Sequence, residues 1–194
     1  MASALAAAAA FAFPSASGWY TSRAQHHLAA RLQDPTIDAQ IAQGTVGTGQ
    51  PLGRIVIPAI SLDMVLVQGV NAASLALGPG HYPGSPLPCS LGDVAVAGHR
   101  TTFLHPFFSL DRMRPGDVVE FQLPGVSCTY TVSQPPFAVS PDDVAVVGPT
   151  PGRATLTLTT CTPRYSAAQR LVVKAVLVPG SIRRPPTAGG AGHR

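Results

Sequence analysis

An all-β domain, either a closed barrel or a two-sheet sandwich, is what this 194-residue sequence predicts, and three observations lead there. Eight short segments between residues 54 and 178 are apolar or alternate with period two, the pattern of strands that bury one face or both. Twenty prolines and nineteen glycines supply frequent turns and leave little room for long helices in that region. Apolar residues make up 45% of the chain against 11% charged, enough to fill a real core.

The elements follow in order. Residues 1–20 carry an apolar run from Ala4 to Phe13 and then Trp19 and Tyr20, residue types that favour a membrane interface. The run is shorter than the ~20 residues of a spanning helix and has no basic start. A clipped or weak signal-anchor, a cleaved export signal and a low-complexity start all fit; the anchor is the expectation carried forward. Residues 21–53 read as a stalk and linker, with Leu28, Leu32 and Ile41 at helical intervals and Pro35 interrupting them. Strands are predicted over Arg54–Ile57, Met64–Gln68, Asp93–Gly98, Asp117–Leu123, Cys128–Gln134, Phe137–Val139, Ala154–Thr160 and Leu171–Val178. Turns fall between them at "GPGHYPGSP" and "RPGD". Residues 54–179 thus form the domain, and the Pro- and Gly-rich tail at 180–194 is expected to be disordered.

Charge and cysteine usage exclude some functions. The formal charge of +4 comes from twelve arginines and one lysine, Lys174. There is no basic run beyond Arg183-Arg184 and no interleaved aromatics, so nucleic acid is not an expected partner. Three cysteines without a CxxC or clustered histidines fit no zinc pattern, and no metal or cofactor is expected. Outside the cytosol three cysteines can be read as two plus one, with Cys89 and Cys128 a candidate disulfide and Cys161 left over.

Cys161 stands at the end of a strand, where side chains emerge into a loop. A lone cysteine is commonly a small buried hydrophobe, but a neighbouring base or cation turns it into a nucleophile. Two such neighbours are available at strand termini. His99 ends "GDVAVAGHRTT" and has the chemistry of a general acid or base. Arg170 opens "RLVVKAVLV" and presents a fork of donors suited to a substrate carbonyl or oxyanion. Each residue has an ordinary structural reading, a carbonyl-bound histidine or a salt-bridged surface arginine. Their conjunction points to catalysis. His81 and His105, in Pro-rich loops, read as turn structure, and His26, His27 and His193 lie in the stalk and tail.

"GDVAVAGHRTT" followed by "TLTTCTP…QR" resembles the sortases, the cysteine transpeptidases that attach proteins to Gram-positive cell walls. "LALGPGHYPGSPLP" and "RMRPGDVVEF" strengthen the likeness, which covers Arg54 to Val178. The short gap in "CTPRYSAAQR" is most like the class E sortases of actinobacteria. The resemblance implies a closed eight-stranded β-barrel with short helices in its loops behind an N-terminal helical stalk or anchor. It implies Cys161 as nucleophile, His99 as acid/base and Arg170 as transition-state stabiliser, with Tyr82, Thr160 and Thr101 on the substrate side. The implied reaction cleaves a Leu-Ala/Pro-X-Thr-Gly signal between Thr and Gly through a thioacyl-enzyme. Transfer to a peptidoglycan-precursor amine follows, at the extracytoplasmic membrane face or in secreted form. A secreted cysteine peptidase and a non-catalytic wall-binding β domain are the alternatives.

Overall fold

The protein is seen in a computed structural model that describes residues 2–184, with side chains from Ala16 onward. Helix α1 runs Ala2–Arg31 and is followed by α2, Pro35–Gln43. Pro35, expected to interrupt a helix, instead opens one: proline lacks an N–H, and the first helical position needs none. Asp34 caps the same end, accepting from the Thr36 N–H at 2.9 Å, and Gly44 closes the other in the left-handed conformation.

Residues 21–53 do not stand off as a stalk. Leu28 is buried against Val65 and Val67, while Ile37 and Ile41 belong to the barrel core itself. The helical spacing legible in the sequence is therefore a buried stripe, and the side of the barrel is what buries it. Polar groups fix the dock. Thr21 Oγ1 donates to the Ala76 carbonyl at 2.8 Å. The Gln25 amide donates to the carbonyls of Val65 and Leu77 while its oxygen accepts from Val65 N–H.

The strands are β1 Pro51–Ile57, β2 Leu62–Gln68, β3 Gly80–His81, β4 Gly92–Ala97, β5 Val118–Leu123, β6 Val126–Val132, β7 Phe137–Val139, β8 Ala154–Thr162 and β9 Gln169–Leu177. A short helix α3, Ala72–Leu77, capped by Asn71, joins β2 to β3. Each predicted strand is present. The addition is β3, two residues inside the "GPGHYPGSP" turn and too short to show a period. Pairing runs β6-β5-β1-β2-β3-β4-β8-β9, and β6 pairs with β9 to close the ring. The result is a closed eight-stranded barrel, with β7 laid along β9 at Arg170–Val172. Closure leaves no long unpaired edge, which suits strands this short.

Inside, Leu52, Ile55, Phe121, Tyr130, Leu156 and Leu158 are fully buried. The Tyr130 hydroxyl is satisfied by accepting from the Cys89 N–H. Cys89 and Cys128 form a disulfide with Cα atoms 5.6 Å apart, joining the β3–β4 loop to β6. It closes 39 residues, worth roughly 4 kcal/mol of unfolded-state entropy. Reduction is therefore expected to lower the melting midpoint by about 10 °C. Circular dichroism melts with and without reductant check this, and equal midpoints would contradict it. After β9, Arg183 exchanges both backbone hydrogen bonds with Ser127. The disorder expected of the tail falls, from residue 185, outside the described residues.

Candidate active site

Strand pairing brings the three candidate residues to one end of the barrel. β4 and β8 run parallel, Val94 opposite Leu156 through Ala97 opposite Thr159, so both chains leave the sheet at the same end. β4 then releases Gly98 and His99, and β8 continues to Cys161. β9 enters antiparallel from that end, with Arg170 directly opposite Cys161. Opposed residues project from one face with Cβ atoms about 4.5–5.5 Å apart, so thiol and guanidinium share a face.

His99 is held beside them by its chain neighbours. Gly98 donates its N–H to the Thr159 carbonyl at 3.1 Å and accepts from Thr160 Oγ1 at 2.7 Å. Arg100 Nη1 donates to the Cys161 carbonyl at 3.3 Å. His99 is thus bracketed on both sides by bonds to Thr159–Cys161. Gly98 is required there, because a Cβ would stand 2.6 Å from the buried Phe107 ring.

The electrostatics differ among the three. His99 is half-buried, its ring 4.9 Å from that of Phe103, and burial holds its pKa below the ordinary imidazole value. Its Nε2 is buried with no hydrogen-bond partner among the described residues, an arrangement more useful to proton transfer than to stability. Cys161 is a free, partly exposed thiol. Arg170 is partly exposed and turns Nη1 onto the carbonyls of Ala167 and Gln169, 3.1 and 3.3 Å away, within its own turn.

The other sequence-derived candidates separate. The Tyr82 hydroxyl meets Thr159 Oγ1 at 3.1 Å, and Thr159 lies two residues before Cys161 on the same face of β8. Thr160 points to the opposite face, is 3% exposed and commits its hydroxyl to Gly98. It therefore steadies the His99 loop, and its side chain does not reach a substrate. Thr101 lines a hollow of about 340 Å³ between α1 and that loop, together with Trp19 and Leu104. His81 is buried and structural, bonded to Gln68, Ser85 and the Pro86 carbonyl. Further down the Cys161 face of β8, buried Asp93 accepts from Thr155 and Thr157 and lies 3.6 Å from Lys174 Nζ.

Sequence reasoning missed Arg100, Asp111, Arg164 and Phe103. Arg100 stood inside the quoted motif, but only tertiary contact shows where its guanidinium goes.

The barrel is of the sortase type. A sortase D5 from Clostridium perfringens superposes with a TM-score of 0.71, at 22% identity, over 82% of this chain and 98% of that one. The Sortase domain family model matches residues 55–178, and the chain belongs to the sortase family. Sortase SrtE1 of Streptomyces coelicolor is 26% identical over 178 residues, 82% of this chain and 51% of the relative. A sortase E structure from Streptomyces avermitilis is 29% identical, with a TM-score of 0.65, covering 75% of this chain and 97% of that one. The chain spans about half the length of the curated relatives it matches.

Proposed function

We propose that the protein is a transpeptidase that cleaves a Leu-Ala/Pro-X-Thr-Gly type signal between Thr and Gly. The observation that carries this reading is the pairing of Cys161 with Arg170 across β8 and β9, with His99 pinned alongside. The Cys161 thiolate attacks the Thr carbonyl carbon, forming a C–S bond. Arg170, released from its own turn, donates to the developing oxyanion. As the C–N bond breaks, His99 gives its proton to the leaving Gly amine, which leaves a thioacyl-enzyme. An amine of a peptidoglycan precursor then attacks, the thiolate departs, and His99 takes up a proton as the amide forms. In this reading Tyr82 reads the signal residues ahead of the scissile bond, and its bond to Thr159, two residues before the nucleophile, supports that role.

The enzyme is assigned to the extracytoplasmic face of the membrane. Trp19 and Tyr20, exposed on α1, support that side as the membrane side. No helix among the described residues is long and apolar enough to cross a membrane.

Incubation with a Leu-Ala-X-Thr-Gly peptide and a small primary amine should yield the peptide truncated at Thr and amide-linked to that amine, read by mass spectrometry. The carboxylate product alone, at saturating amine, would overturn transpeptidation in favour of a thiol peptidase.

A further inference from the structure

Arg100 is the residue after His99, yet it is 4% exposed and cannot meet a substrate. Every arm of its guanidinium is committed. Nε donates to the Phe108 carbonyl at 2.9 Å, Nη1 to the Cys161 carbonyl at 3.3 Å, and Nη2 lies 3.1 Å from Asp111 Oδ1. Asp111, in the short 3-10 turn Leu110–Arg112, also accepts from Arg164 through both oxygens, at 3.0 and 3.1 Å. Arg164 belongs to the turn between Cys161 and Arg170, and its guanidinium stacks 4.3 Å from the Phe108 ring.

One buried cation therefore joins the loop that carries His99, the strand end that carries Cys161 and, through Asp111, the turn that delivers Arg170. The ion pair is a poor device for stability alone, because Asp111 is exposed and water screens the attraction. A fork with fixed directions is a good device for register.

We propose that Arg100 is a positioning residue of this site: its fork locks the Cys161 backbone to the His99 loop. Asp111 and Arg164 carry the constraint to the Arg170 turn. This rests on Cys161 being the nucleophile. Charged and titratable groups on the elements around the Cys161 strand end are His99 and Arg100 on the loop after β4, Arg170 opposite on β9, and Arg164 in the turn, paired with Asp111. Asp93 and Lys174 lie further down the Cys161 face of β8.

The test uses Arg100→Met, Arg100→Lys and Asp111→Asn in the full chain, with folding checked by thermal melts. Proton NMR of the His99 ring against pH reads the loop without any peptide substrate, and kcat and KM for the sorting peptide read turnover. In Arg100→Met the His99 midpoint should rise towards the ordinary imidazole value, because a loop freed from β8 lets water reach the ring. Its kcat should fall by about fiftyfold with KM within about twofold. Arg100→Lys should restore neither the midpoint nor kcat, since charge returns without the fork. Asp111→Asn should lower kcat by about fivefold with KM within about twofold, because the link to the Arg170 turn is lost. A folded Arg100→Met protein with the parental His99 midpoint and kcat would overturn the proposal. If that variant fails to fold, a parental midpoint and kcat in Arg100→Lys do so instead. Absence of turnover on every sorting peptide would count against the proposed function, and the His99 titrations would still decide the role of Arg100.

Discussion

Cys161→Ala is expected to abolish thioacyl formation while leaving the barrel intact. The two halves of that result have separate physical causes. The residue is partly exposed at the end of β8, and it is its backbone carbonyl, not its sulfur, that Arg100 holds. Removing Sγ therefore breaks none of the bonds that pin the His99 loop. The β8–β9 ladder from Thr155 to Thr162 is backbone-made and survives as well. The melting midpoint should stay within about 2 °C of the parent, a change of well under 1 kcal/mol. Catalysis has no such reserve, because neither His99 nor Arg170 can form the covalent intermediate. The loss in kcat/KM should be at least about a thousandfold, or roughly 4 kcal/mol of transition-state stabilisation. Intact-protein mass spectrometry after brief exposure to peptide reads the first half, the parent gaining the acyl mass and the variant none. Transpeptidation retained by a folded Cys161→Ala protein would remove the cysteine mechanism altogether.

How far the sequence foretold this site depends on the range of the interaction concerned. Local signals were legible. The alternation of Val94 and Val96 with small residues, and of Leu156 and Leu158 with threonines, marked two strands whose ends carry His99 and Cys161. The eight residues between Cys161 and Arg170 marked a tight return, and the register sets the two opposite each other. Short elements were not legible: β3 is two residues within a proline-rich loop, where a period of two has no room to show. Nor could helical spacing at Leu28, Leu32 and Ile41 say what covers those residues. A stalk and a docked helix present the same stripe, and only the barrel's side distinguishes them. Facing was harder still. Thr160 adjoins the nucleophile in sequence, yet the pleat sends it to the opposite face, where it bonds Gly98. The Arg100–Asp111–Arg164 ladder was out of reach because it joins residues 11 to 64 positions apart, each ordinary in its local setting.

His99→Gln is expected to cost about a thousandfold in kcat/KM, since no other group in the described site is placed to give the leaving amine its proton. The pH profile of the parent makes the same assignment more sharply. Burial disfavours the imidazolium, so the His99 pKa lies below the ordinary value of about 6.5. The form that starts the reaction is a thiolate beside an imidazolium, a pair that holds one proton between its two groups. A second proton removes that form, and a histidine depressed by burial resists the doubly protonated state until the pH is lower. The acid limb of kcat/KM should therefore have its midpoint below about 6.5, while the basic limb reports the second proton lost by the pair. Proton NMR of the His99 ring in Cys161→Ala, where the thiol cannot couple, should titrate below the same value. Phe103→Ala should raise that midpoint towards about 6.5, because the ring packed 4.9 Å away is part of what excludes water. A parent midpoint at or above about 6.5 would mean that His99 is not desolvated, and would leave its unpartnered Nε2 without a catalytic reason.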